Sequence, residues 1–303
     1  MSGQAYERIG SGYAGRRRPE PAWEAAILRA LGGARSVVNV GAGTGSYEPR
    51  DRGVVAVEPS AVMVAQRAAD AAPVVRAVAE HLPFADAAFD AALAVLTVHH
   101  WTDPVAGLHE LARVARRRVV VTWDLDVLIE RFWFLRDYLP EVLEREEALA
   151  RLPTVLEGLG SGCEVLPLPV PWDCRDGFFA AYWRRPEAYV DPGARSAMST
   201  LALMPQEPVD RATAALRRDL ESGRWHERYA DLLDLDELDL GYRLVIDEGR
   251  SASRVTTSQA VEGDPLPDPL DVDRAAELQL DLAQTAEPDL QLGVAVHGTG
   301  RLH

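Results

Sequence analysis

Lysine is absent from all 303 residues, and asparagine occurs once, at Asn39. The first absence removes lysine from every catalytic scheme. Together with abundant Ala, Arg, Gly and Pro it marks the bias that a GC-rich bacterial coding sequence produces. Cysteine is nearly absent too: Cys163 and Cys174 show neither metal-ligand nor C-x-x-C spacing and read as buried free thiols. No apolar run reaches membrane-spanning length, and the opening "MSGQAYERIG" has no apolar core of a signal peptide. The expectation is a cytoplasmic protein with no membrane partner. Positive charge is scarce, with 32 Lys+Arg against 47 Asp+Glu, a net charge of −15 and a pI near 4.9. Such a surface repels phosphate backbones and anionic lipid, so no nucleic-acid partner is expected.

What is present is a repeating texture. "PEPAWEAAILRAL" (19–31) spaces Trp23, Ala26, Ile27 and Leu31 along one helical face, and Gly32-Gly33 end it. Short Val-rich runs follow at 36–40, 53–57, 73–78, 91–96 and 118–123, separated by loop or helix signals. Continuous apolar runs of that kind describe parallel strands covered on both faces, an α/β doubly wound fold. Beyond Asp124 the chain is helical and aromatic, and "CEVLPLPVPW" (163–172) reads as one further strand. A mostly helical stretch spans 173–238, "GYRLVIDE" (241–248) reads as a last strand, and 249–303 reads as a disordered acidic tail.

The informative loop is "VVNVGAGTGSYEPRDRGVVAVEPS" (37–60). A dinucleotide fingerprint requires G-x-G-x-x-G opening a helix whose N-terminus holds the pyrophosphate. Here Gly41, Gly43 and Gly45 fall as G-x-G-x-G, and only 46–53, containing Pro49, separates them from the next strand. No useful helix fits there, which argues against an NAD(P)-dependent oxidoreductase. S-adenosylmethionine carries no phosphate and does not need that helix. It needs close backbone approach, which glycine permits, a slot for adenine, and an acid for the ribose hydroxyls. Glu58, just past the second strand, is placed for the last role, although a strand-end acid in isolation is as readily a solvated one.

The segment "AEHLPFADAAFDAALAVLTVHHW" (79–101) makes the resemblance specific. Glu80, Leu82-Pro83-Phe84, Asp86 and Phe89-Asp90, with "NVGAGTGSYEP" and "VAVEPS", resemble the class I S-adenosylmethionine-dependent methyltransferases of the UbiE-like (type 11) group. Within that group they look like a bacterial branch whose substrates are mostly unassigned. The resemblance implies a Rossmann-like seven-stranded sheet with its last strand antiparallel. Residues 1–248 would form the methyltransferase domain, with 173–238 as a helical lid insertion. It implies cofactor contacts from Gly41, Ala42, Gly43, Gly45, Glu58, Pro59, Ala79, Glu80 and Thr97, and from Tyr13 and Arg18 in an N-terminal segment that includes Tyr6. Arg18 reads equally as a solvated charge. The chain departs from the pattern at Asn39, where an acid is usual, and at Val78, where many relatives carry Asp. Ala79 and Glu80 are then left to address adenine.

Methyl transfer to a hydroxyl would call for a base, and His99 and His100 follow the fourth strand, where substrates sit in open α/β sheets. Either could instead pack locally. Phe132, Trp133, Leu135 and Tyr138 read as core or as pocket. Asp124 and Asp126 lack a third ligand, so no metal is expected. The D/N-P-P-Y motif of adenine N6 methyltransferases is missing, which together with the charge favours a small-molecule acceptor. The competing reading from another class is a non-catalytic S-adenosylmethionine-binding partner or sensor. Sequence fixes neither the acceptor atom nor the oligomeric state.

Overall fold

The computed structural model describes residues 18–143, 151–196 and 198–249. Tyr6, Tyr13 and the 250–303 tail lie outside the described residues.

The Val-rich runs form a seven-stranded sheet of order β3-β2-β1-β4-β5-β9-β6. Its strands are β1 (Ser36–Val40), β2 (Gly53–Val57), β3 (Val74–Val75), β4 (Phe89–Val95), β5 (Ala115–Trp123), β6 (Glu164–Pro167) and β9 (Tyr242–Asp247). The pairs β1–β2, β1–β4, β2–β3 and β4–β5 are parallel. β9, the last of the described strands, runs antiparallel to both β5 and β6. The sheet is therefore the one expected, with its last strand inserted antiparallel.

Alternate residues on one strand serve opposite layers. Val37, Leu93, Val119 and Val121 pack with Trp23, Ile27 and Leu31 of α1 (Pro21–Leu31). Val38, Val40, Ala92, Ala94 and Val120 pack with Leu108, Leu111 and Val114 of α3 (Pro104–Val114) and Val155 of α5 (Leu152–Leu159). Burial on both faces explains why these strands read as continuous apolar runs rather than as alternating ones. α1 starts where Pro21 needs no N–H partner and the Glu20 carboxylate accepts from the Ala22 N–H at 3.2 Å.

Two expectations are corrected. The run 73–78 contributes only Val74–Val75 to the sheet. The run 163–172 is two strands: β6, and β7 (Val170–Pro171), which pairs with β8 (Glu237–Leu238) in a separate ribbon. Alternating prolines at Pro167, Pro169 and Pro171 remove the donors a continuous strand would need. The ribbon, with Trp172 N–H donating to the Asp236 carbonyl at 2.9 Å, ties off the neck of the insertion.

The insertion is mostly helical, its longest element being α9 (Gln206–Glu221), with α10 (Arg224–Arg228) after it. Its Phe179, Tyr189, Trp225 and Tyr229 pack around Phe132, Trp133 and Phe134, with ring centroids from 4.5 to 5.9 Å in the Phe134–Tyr189, Phe132–Phe179, Trp133–Trp225, Trp133–Tyr229 and Phe132–Tyr189 pairs. Phe132, Trp133, Leu135 and Tyr138 are thus core, at 0–8% exposure. Among the described residues no helix is long and apolar enough to cross a membrane.

Candidate functional site

The strand order reverses between β1 and β4, and the loops at the carboxyl ends of β1, β2, β3 and β4 enclose a cleft of about 210 Å³. Asn39, Gly41, Ala42, Gly43, Thr44, Ser46 and Tyr47 line it after β1, and Glu58, Pro59 and Ser60 after β2. Ala77–Glu80 follow β3, and Leu96, Thr97 and His100–Thr102 follow β4. Of the expected cofactor residues, Gly41, Ala42, Gly43, Glu58, Pro59, Ala79, Glu80 and Thr97 meet in this one cleft. Gly45 does not line it and lies beside Glu48, Arg18 is exposed and does not line it, and Tyr13 lies outside the described residues.

The connector from β1 to β2 is irregular over 41–52, so the helix excluded by Pro49 is indeed missing. Gly41 adopts φ +69°, and a Cβ there would sit 1.9 Å from Thr97 Oγ1. The loop therefore packs directly on the end of β4, which only glycine allows. Gly43 N–H points to Glu58 Oε2 at 2.8 Å, and Ser60 N–H to Glu58 Oε1 at 2.9 Å. Each carboxylate oxygen keeps a lone pair for a ligand hydroxyl. Burial pushes the Glu58 carboxyl above its ordinary value, opposed by the Ser60 and Gly43 N–H donors and by the charge of Arg67. Opposite it, Glu80 Oε1 accepts from the Thr102 and Asp103 N–H groups at 2.7 and 3.0 Å, which fixes that acid to the start of α3. Leu96 holds φ +49° at the end of β4, a conformation that costs a branched side chain about 1–3 kcal/mol and concentrates at functional sites.

The two histidines separate. His100 lines the cleft, whereas His99 does not, and its ring stands 3.7 Å from that of His100 and 4.5 Å from that of Trp123. Asp124 caps α4 (Leu125–Arg131) by accepting from the Asp126 N–H at 3.2 Å. Among the described residues no group of three or more His, Cys, Asp or Glu side chains could hold a metal. Cys163 and Cys174 are free thiols, Cys163 partly exposed and Cys174 buried; burial pushes both thiols up.

Among the described residues the lining carries the carboxylates of Glu58 and Glu80 and no arginine to meet the phosphates of a dinucleotide. Those features suit a cationic, phosphate-free ligand with a ribose. Residues 38–121 match the family described as "Methyltransferase domain". An uncharacterized methyltransferase of Mycobacterium tuberculosis, and its counterpart in Mycobacterium bovis, are 36% identical over 121 residues, 37% of this chain. The chain spans only about half, 48%, of the length of these curated relatives. A solved structure described as a putative methyltransferase from an antibiotic biosynthesis pathway of Anabaena variabilis is 32% identical, with a TM-score of 0.69. That alignment covers 76% of this chain and 98% of the other. The chain belongs to the class I S-adenosylmethionine-dependent methyltransferases.

The cofactor of this methyltransferase is S-adenosyl-L-methionine, and the cleft fits it. Gly43 leaves open space where a Cβ would stand, Glu58 offers buried acceptors, and Val78, 45% exposed, gives an apolar wall near Ala79. Sequence reasoning missed Tyr47, Ser60, Met63, Leu96 and Thr102 as lining residues. Ser60 carries a legible signal, since its hydroxyl caps α2 (Ala61–Val64) at the Met63 N–H, 3.3 Å away. Among the described residues the methyltransferase insertion contributes none to the lining, but it reaches the site indirectly: Tyr47 Oη donates to Asp176 Oδ2 at 2.9 Å and accepts from the Glu20 N–H at 3.2 Å.

Proposed function

We propose that this chain transfers a methyl group to a small-molecule acceptor and releases S-adenosylhomocysteine. The observation that carries the reading is a cleft built at the topological switch point from a glycine loop with no helix after it and lined by two carboxylates. S-adenosylmethionine, when bound, supplies a methyl group already activated on a sulfonium. Glu58 accepts from the ribose hydroxyls, the backbone at Gly41–Gly43 lies along the amino-acid part, and Ala79 with Glu80 frames the adenine. Orienting the two reactants this way is worth on the order of 7–11 kcal/mol. His100, the histidine that lines the cleft, takes the proton of an acceptor hydroxyl, while His99 packs it against Trp123.

A small acceptor is supported by the net charge of −15, which disfavours nucleic acid, and by the pathway named for the Anabaena relative. The insertion carries specificity through its attachment at Tyr47. Titration calorimetry with S-adenosylhomocysteine and NADH tests the cofactor reading; binding of NADH alone overturns it. Incubation with labelled S-adenosylmethionine and metabolite extracts tests the reaction. Label appearing only in macromolecules would overturn the small-molecule acceptor.

A further inference from the structure

In a doubly wound unit the helix after the glycine loop braces that loop. Here the brace comes from two side chains distant in sequence. Glu48, on the connector, and Arg67, in the turn after α2, pair at 2.6 Å with side chains 7% and 4% exposed. Arg67 Nη1 donates to the Gly43 carbonyl at 3.2 Å, and Nη2 to the Ala72 carbonyl at 3.0 Å. Glu48 Oε2 accepts from the Ala72 N–H at 3.2 Å, and Asn39 Nδ2 reaches Glu48 Oε1 at 3.4 Å from the end of β1. Gly43 is consequently gripped from both sides, its N–H by Glu58 and its carbonyl by Arg67.

We propose that the buried Glu48–Arg67 pair is the positioning device of the cofactor loop, holding Gly43 and Glu58 in the geometry that the ribose hydroxyls require. The inference rests on the cofactor reading of the cleft. A buried ion pair with only a packing role is replaceable by apolar side chains of similar volume. This pair does more, because its field reaches a third group. Facing Glu58 are the Ser60 and Gly43 N–H donors and the Arg67 charge; burial raises its carboxyl and Arg67 draws it back down. Glu48 offsets the Arg67 charge at 2.6 Å and carries a negative charge of its own. Removing the cation and removing its partner therefore push Glu58 in opposite directions, which generic loosening of a loop cannot do.

The test uses the full chain and two readouts: NMR titration of the Glu58 carboxyl in the ligand-free protein, and calorimetry with S-adenosylhomocysteine across pH. Arg67→Met should raise the Glu58 midpoint and carry the acid limb of the affinity profile up with it. Glu48→Gln should move both down. Arg67→Lys keeps the charge without the fork, so the midpoint should stay while affinity falls several-fold; it also serves if the methionine variant does not fold. Equal weakening in all variants at every pH, with the Glu58 midpoint unmoved, overturns the proposal and leaves a structural brace. Midpoints that move as stated in a wild type that binds no S-adenosylhomocysteine overturn the cofactor reading instead, and the ribose role of the pair with it.

Discussion

Glu58→Gln keeps the volume of the side chain and changes one oxygen from an acceptor to a donor. In the ligand-free protein that oxygen faces the N–H of Gly43 at 2.8 Å or of Ser60 at 2.9 Å, so one loop contact becomes donor against donor. On binding, one hydrogen bond between a ribose hydroxyl and a charged acceptor is lost, worth about 1.5–3 kcal/mol. A net loss of roughly 2–3 kcal/mol corresponds to a 30- to 150-fold weaker complex with S-adenosylhomocysteine. The wild type should show a pH signature that the variant lacks. Burial raises the Glu58 carboxyl in the free protein, and hydroxyl donors favour its ionised form, so affinity falls as pH drops through that raised value and is flat above it. The stability sign is opposite. A carboxyl raised by folding contributes stability present below its unfolded value and lost as pH rises through the folded one. The thermal shift produced by S-adenosylhomocysteine should therefore grow with pH across the same window. Calorimetry in buffers of different ionisation enthalpy would detect proton release on that limb. A variant binding as tightly as wild type, with a flat wild-type profile, would refute the placement of the ribose at Glu58.

Further perturbations are expected to act as follows. Gly41→Ala places a Cβ 1.9 Å from Thr97 Oγ1, so the melting temperature should fall by the equivalent of about 1–3 kcal/mol; adding Thr97→Ala should restore part of it, and an unchanged melting temperature would mean the loop does not rest on β4. His100→Ala should lower kcat about tenfold or more with S-adenosylhomocysteine affinity unchanged; a flat wild-type pH–rate profile and an unimpaired variant would assign His100 to packing. Tyr47→Phe removes a donor from Asp176, which is 0% exposed, and the urea midpoint should drop by the equivalent of about 1.5–3 kcal/mol. Asp86→Ala serves as a control: its partner Arg113 is also held by Glu110, and Asp86 itself is 82% exposed, so cofactor affinity should not change.

The sheet could be read from the sequence because parallel strands buried on both faces need unbroken apolar runs, and little else produces five of them in order. The glycine loop was legible for a similar reason: Pro49 and the short 46–53 segment exclude a helix by local sterics alone. β8, and the break that separates β7 from β6, were not legible, since a strand of two residues has no periodicity to display. Glu48 and Arg67 were hidden because each looks like an ordinary surface charge, and only the fold brings them together across 19 positions. The aromatic run at 132–138 was ambiguous for lack of a partner in view. Its partners, Tyr189, Trp225 and Tyr229, lie beyond the neck of the insertion.

The hydrogen bond between Tyr47 and Asp176 bears on how such an enzyme could be diversified. Were the insertion a detachable module, its exchange would alter acceptor choice and leave the rest untouched. Here its first turn holds a residue of the glycine loop, and Glu20 binds both the Tyr47 hydroxyl, through its own N–H, and the Arg175 N–H. A graft that replaced 173–238 without an acid at 176 would change two affinities at once. Selection for a new acceptor would then carry a hidden drift in cofactor saturation, and chimeras should be screened at more than one S-adenosylmethionine concentration before a lost activity is blamed on the acceptor.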